Sequence, residues 1–557
     1  MVSRLIPIRS LLLVVAAFAA WPVGAAVGDS TKRFSAERLT ADIRVLASDE
    51  FEGRRSATPG GAKTVAYLEQ AFREIGLKPG AGDSYTQAVP FVELDTQPSP
   101  SLEVSSPGGK LALSYGPQAV YWTTRVTPEA EIEDSELVFV GYGIVDPSRD
   151  WNDYAGLDMR GKTAVILVND PGFATSDPAL FKGRTMTYFG RWTYKFDEAA
   201  RQGAAGAIIV HEDEPAAYPW AVVQNGASRP QLVLDRPDGN ASRVALEGWV
   251  TLDSARKLFA AAGMDYQDLK ARAAKRGFRP VPMGLRASAR VENSIRRAAS
   301  SNVIGLLEGS KRPDEYLVVT AHWDHLGIAE RGEGDDRIFN GAVDNATGTA
   351  GMLELARAFA ALEPRPERSI LFVGFTGEED GLLGSEYFAD HPPVPIAQIA
   401  GGINIDAMIV YGRTRDVSVV GFGSSQLEDY LQRAAARQGR VLKQEPTPEK
   451  GFYFRSDHFP LARKGVPMLY AKGGVDSVEH GSEWGTARQQ EYIATRYHKP
   501  SDEYDPDWDL SGAIEDLEMY FDVLQQLAGE TRFPQWLPGN EFRPIREQSR
   551  SAAGTGR

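Results

Sequence analysis

From about Ser301 onward, short apolar runs alternate with stretches of helical periodicity, and three of the runs stop at a side chain that can bind a metal. Residues 316–321 form an apolar strand pattern ending at His322. Residues 369–375 form another, ending just before Gly377-Glu378-Glu379. Residues 399–405 form a third, ending at Asp406. Between the first two lies a helical pattern over 347–362, with Met352, Leu355, Ala356 and Phe359 on one face. A further helix is expected over 510–528 and further strands over 417–420 and 467–471. This alternation predicts an α/β fold: a mainly parallel, twisted sheet covered by helices on both faces. Ligands of such sheets bind beyond the carboxyl ends of the strands, where His322, Glu379 and Asp406 fall.

The 557-residue chain contains no cysteine, so thiolate metal sites, cysteine nucleophiles and disulfides are excluded. Any metal has to be held by carboxylates and some of the seven histidines. The net charge of −14 argues against a nucleic-acid partner, which needs a basic footprint. The length predicts more than one domain. Arg4 and Arg9, the apolar run 11–20 and Gly24-Ala25-Ala26 have the layout of a signal peptide over 1–26. Export to the periplasm or medium is therefore expected, with no stable membrane span. The polar tail 541–557 reads as disordered. Nothing in the sequence speaks to oligomeric state.

The candidate ligands come with informative neighbours. Asp324, two positions after His322, is expected to accept the second ring N–H of that histidine and so fix its tautomer. Asp344 lies in the small-residue segment Asn340-Gly341-Ala342-Val343-Asp344-Asn345-Ala346-Thr347-Gly348, immediately before a helix. It can cap that helix. It can also bridge two cations, which two-metal hydrolases hold roughly 3.5–4 Å apart. Glu378 and Glu379 are adjacent carboxylates after an apolar strand, an arrangement that favours a compensating cation. His498 in Tyr497-His498-Lys499 completes the set. His325, His391 and His480 are expected to lie outside it, His391 because Pro392-Pro393 marks a helix exit.

Taken together, Ala321-His322-Trp323-Asp324, 341–348, 376–379, Asn404-Ile405-Asp406, Arg455 to Leu461 and Tyr497-His498 resemble the zinc exopeptidases that include bacterial leucyl aminopeptidases and glutamate carboxypeptidase. The resemblance implies a discontinuous peptidase domain, 34–132 and 294–532. It implies two zinc ions, with cobalt or manganese substitution allowed by the ligand types. His322 and Asp406 hold one ion, Glu379 and His498 the other, and Asp344 bridges them. Glu378 is the implied general base for a zinc-bound water, and Asp324 supports His322. Tyr453 and His458 are candidate substrate contacts, with Asp457 and Asp502 as supporting groups. The implied substrates are peptides, cleaved at the N-terminal residue. Glutaminyl cyclase-like, carboxypeptidase or dipeptidase chemistry, and a non-catalytic binding role, are the alternatives on the same fold. Phe139-Val140-Gly141-Tyr142-Gly143, Trp151 to Leu157, Gly161-Lys162 and 203–207 resemble a protease-associated domain, placing an inserted α/β unit over 133–293.

Overall fold

The computed structural model describes residues 33–106, 108–329 and 336–554. The expected leader, 1–26, lies outside them. Among the described residues no helix is long and apolar enough to cross a membrane.

The expected α/β sheet is present but more mixed than mainly parallel. Its centre is parallel: Arg368–Phe375, Arg312–His322, Ile399–Asn404 and Met468–Gly473 pair in that spatial order. Its margins are antiparallel. Val281–Leu307 flanks Arg368–Phe375 on one side, and Asp416–Val419 flanks Met468–Gly473 on the other. Side chains alternate between two cores, as the two-residue period of a strand requires. Leu317, Val319, Ile370 and Phe372 face helices Ala36–Leu46, Gly348–Ala360 and Ser511–Gly529, while Val318, Leu371 and Val373 face Phe388 and Leu461 on the opposite layer. Helix Pro59–Ile75 is fixed at both ends by local chemistry. Thr58 caps its start by accepting from the Gly61 N–H, and Gly76 closes it at φ 86°, a left-handed backbone that glycine adopts without a Cβ penalty.

A second lobe has its own core. Strands Glu129–Phe139, Thr163–Leu167, Gly206–His211 and Leu246–Thr251 run parallel, with Ala119–Trp122 antiparallel at the edge. Leu102, Val104, Leu113 and Tyr121 pack into the same core. The boundary expected at 132/133 therefore moves back to the turn after Thr86–Pro98, because the hairpin of Ser101–Ser106 and Gly109–Ser114 buries its apolar face against the lobe. The return lies inside the 27-residue strand Val281–Leu307, whose Val291 belongs to the lobe core and whose Val303 belongs to the catalytic core.

The tail expected to be disordered is a helix, Arg543–Gly554. Buried side chains at its start hold it. Phe542 is buried among Tyr453, Phe454, Phe459 and Trp536, and the buried Arg546 guanidinium donates to the Ile399 and Ala400 carbonyls at 2.7 and 3.3 Å. Arg550 adds a bond to the Ala397 carbonyl at 2.9 Å, and a reading by average polarity misses such anchors in an otherwise polar segment.

The two lobes meet along one seam. The Met186 N–H donates to the Pro448 carbonyl at 3.2 Å, and Tyr188 stacks among Phe454, Phe459 and Phe542. Arg236 joins Glu386 and Asp390 at 2.9 and 3.1 Å.

Candidate metal centre

His322, Asp344, Glu379, Asp406 and His498 converge at the carboxyl edge of the parallel strands. His322 is the last residue of its strand, and Asp406 follows Ile399–Asn404 by two. Asp344 is held by its neighbours. The Val343 and Asp344 N–H groups donate to the two carboxylate oxygens of Asp502 at 3.2 and 3.1 Å. Asn345 ties this loop to the Asp406 loop, donating to the Ile405 carbonyl at 3.0 Å and accepting from the Ala407 N–H at 3.0 Å. The small flanking residues are required. A Cβ on Gly341 (φ 55°) would lie 2.3 Å from the Asp344 carbonyl oxygen, and one on Gly348 2.2 Å from Asn345 Oδ1.

The geometry separates into two halves sharing Asp344. His322 Nε2 lies 3.3 Å from Asp344 Oδ1 and 3.6 Å from Asp406 Oδ1. His498 Nε2 lies 3.3 Å from Asp344 Oδ2 and 3.1 Å from Glu379 Oε2. Tetrahedral zinc with bonds near 2.0–2.2 Å has ligand-to-ligand edges of about 3.3–3.6 Å, so both halves have nearly the donor spacing of a zinc site. Their donors, imidazole nitrogen and carboxylate oxygen, suit the same ion. The residues present therefore fit two divalent cations.

The electrostatics point the same way. Burial alone would lower the His322 pKa, but Glu378, Asp344 and Asp406 outweigh it and hold the ring well above the usual imidazole range. For Asp344, burial is outweighed by hydrogen bonds from His322 and His498, which hold its carboxyl well below the usual range. Burial and Asp344 push Glu379 up, yet His325 and His498 bring it down to about 2. Glu378 is pushed well above the carboxyl range by burial, with Glu379 and Asp406 adding to the effect. Cations binding here displace the histidine protons and keep the carboxylates ionised.

Several expectations change on contact with the structure. The second ring nitrogen of His322 faces the backbone carbonyl of Asp324 at 3.1 Å, not its carboxylate. The Asp324 side chain turns instead to the Glu378 N–H, which it accepts at 3.2 Å, and burial raises its pKa to about 8. Asp324 thus positions the Glu378 backbone. His325, expected outside the ligand set, touches one of its members. Its Nδ1 lies 2.6 Å from Glu379 Oε1, a charge-assisted hydrogen bond too short to be an edge between two ligands of one ion. The signal was its place one residue beyond the His-Trp-Asp motif. Tyr453 and His458 are buried and pack edge to face at 4.5 Å, so neither side chain reaches solvent from which a substrate arrives. Asp457 accepts from Ser385 at 2.6 Å beneath the site. His391 stacks on Tyr387, and His480 pairs with Glu479 at the surface; neither joins a ligand cluster.

Other contributors were given no role by the sequence. Ser456 donates to Asp406 Oδ2 at 2.6 Å. Arg54 donates to the Trp323, Leu46, Asn340 and Gly341 carbonyls from a fully enclosed position, joining the first helical segment to both ligand loops. Tyr497 stacks on His498 with ring centroids 3.9 Å apart.

A parallel sheet edge carrying a shared-aspartate pair of histidine and carboxylate clusters defines a metallohydrolase-type centre. Residues 302–521 match the model of peptidase family M28. The chain is 35% identical over 258 residues to aminopeptidase NAALADL1 of Mus musculus, covering 41% of this chain and 31% of that protein. It is 37% identical over 207 residues to aminopeptidase YwaD of Bacillus subtilis strain 168, covering 36% of this chain and 39% of that protein. The chain thus spans less than half the length of these curated relatives. Among solved structures, an aminopeptidase from Aneurinibacillus sp. strain AM-1 aligns over 89% of this chain and 94% of its own, at 21% identity and a TM-score of 0.46.

Proposed function

We propose that this protein is an exported di-zinc aminopeptidase. The observation that carries the reading is Asp344, whose two carboxylate oxygens face two different histidines, each of which also faces a second carboxylate. In the proposed assignment His322 and Asp406 hold one ion, Glu379 and His498 the other, and Asp344 both. When bound, such ions acidify a water and polarise a carbonyl.

The chain supplies the proton chemistry. Glu379 and Asp406 are committed as ligands, so Glu378 is the carboxyl left to take the proton from the attacking water and return one to the leaving amine. Its backbone is fixed by Asp324, and its carboxyl lies in one cluster with His322 and Glu379. His325 holds Glu379 in register. The second lobe is proposed to be a protease-associated domain that restricts access, its Met186–Tyr188 segment docking on the loop that leads to Ser456. Tyr453 and His458 support that loop from below. Export rests on the pattern of residues 1–26. Secreted protein whose intact mass still includes those residues would contradict cleavage there.

The test is release of chromophore from a panel of aminoacyl substrates by zinc-loaded protein, before and after chelation. Chelator-sensitive release is expected. Glu378→Gln is expected to lower kcat by about 10²–10⁴-fold with the fold and zinc content retained. Cleavage of only dipeptides or C-terminal residues moves the substrate within the same chemistry. No hydrolysis by fully loaded protein contradicts the reading.

A further inference from the structure

The strand Met468–Gly473 runs toward the sheet edge that holds the metal centre, and it brings a cation there. Its register with Ile399–Asn404 pairs Tyr470 with Asn404. Lys472 and Asp406 each lie two residues further on, side by side at the carboxyl edge where such sheets bind ligands. Tyr470 and Lys472 are the two half-buried residues of this strand and share one face, as the two-residue period requires; Leu469, Ala471 and Gly473 alternate with them and are buried.

The contact with the site is direct. The Lys472 ammonium donates to the Asp406 backbone carbonyl at 3.1 Å and lies 5.8 Å from the centroid of the Tyr470 ring. Among the described residues no carboxylate forms an ion pair with it. The acids around it are engaged elsewhere. Asp406 Oδ1 faces His322 at 3.6 Å, and its Oδ2 accepts from Ser456. Asp516 accepts from Arg440 and from the Gly473 N–H at 2.8 and 2.7 Å. Other half-buried lysines are matched: Lys162 pairs with Glu136, and Lys270 with Glu212. An ammonium has three donors, and this one uses a single donor on a neutral carbonyl. A partly desolvated charge is costly to leave without an opposite one, so the free donors of Lys472 suit an anion that arrives with the ligand.

We propose that Lys472 is a specificity-determining residue that binds the side-chain carboxylate of the substrate's N-terminal residue. The inference rests on the aminopeptidase reading and deepens it: the favoured substrates are peptides that begin with glutamate. In that reading the first residue of the peptide is held at the metal centre, and Lys472 touches a residue that supplies one of the ligands. Glutamine has the shape of glutamate without its charge, so comparing the two isolates the contact with the ammonium.

The test is equilibrium binding of the α-hydroxamates of glutamate, glutamine and lysine to zinc-loaded protein, by calorimetry. Each probe carries one residue, so a preference reports on that residue alone. The glutamate probe is expected to bind at least about tenfold more tightly than the glutamine probe, the scale of a hydrogen bond to a charged group. Lys472→Met is expected to abolish the difference, Lys472→Arg to keep it, and Lys472→Glu to turn the preference toward the lysine probe. Equal binding of the glutamate and glutamine probes to the parent protein, no binding of any probe, or a preference that survives Lys472→Met overturns the proposal. Equal weakening of all three probes in Lys472→Met overturns it as well, leaving Lys472 a tie on the Asp406 loop. Hydrolysis of glutamyl and glutaminyl p-nitroanilides is read separately. A glutamate preference in binding without hydrolysis of either sinks the peptidase reading and spares Lys472; hydrolysis of both with equal binding does the reverse.

Discussion

His325 and His458 show how far two histidines diverge with their surroundings. His325 donates into Glu379, fixing a ligand it does not replace. His325→Asn should weaken zinc binding by about 10–100-fold, the usual effect of losing a group that orients a ligand, as measured by competition with a chromogenic chelator. Unchanged affinity would mean Glu379 is held by its strand end alone. His458 is fully buried, and burial lowers its pKa to about 3. A histidine depressed in the folded state binds its proton more readily when unfolded. Its stabilisation is present above the unfolded pKa of about 6.5 and is lost as the pH falls from there toward 3. At pH 5 the loss is about 2 kcal/mol. Urea titrations at pH 7.5 and 5 should show His458→Phe losing less stability on acidification than the parent protein; equal losses assign the acid sensitivity elsewhere.

At the scale of elements, the sheet-edge position of the candidate ligands was legible because strands end abruptly. Runs such as 370–375 are apolar throughout, and the polar residues beyond them sit at the sheet edge, where His322, Glu379 and Asp406 lie. Contacts that close through backbone were not legible. Nothing in Asp324 says that its carbonyl, rather than its carboxylate, meets His322, and nothing in Ser456 points to Asp406 fifty residues earlier. The lobe boundary was misplaced because hairpin residues from Ser101 carry the same strand pattern whichever core they join. The final helix was hidden by composition, although Arg546 is enclosed and satisfies two carbonyls of the central strand Ile399–Asn404. Arg546→Ala leaves those carbonyls with one donor fewer and should cost about 1–3 kcal/mol, seen as a lower midpoint in denaturant. A shift within error would show the helix to be dispensable to the strand beneath it.

At the scale of the whole molecule, the candidate ligands all come from one lobe, and the second lobe packs against that lobe at the seam. Arg54 binds the first helical segment to the Trp323 and Gly341 turns, while the second lobe reaches back through Met186 and Tyr188 to the loop that supports Asp406. A long strand, Val281–Leu307, runs through both cores and makes their relation depend on sheet register instead of a flexible linker. The account stands on two ions sharing Asp344. Its most direct test is the zinc content of metal-loaded protein, compared with that of Asp344→Ala. The account predicts two zinc ions per chain in the parent protein and a substantial loss in the variant. One ion or none in the fully loaded parent, or two retained without Asp344, would contradict it.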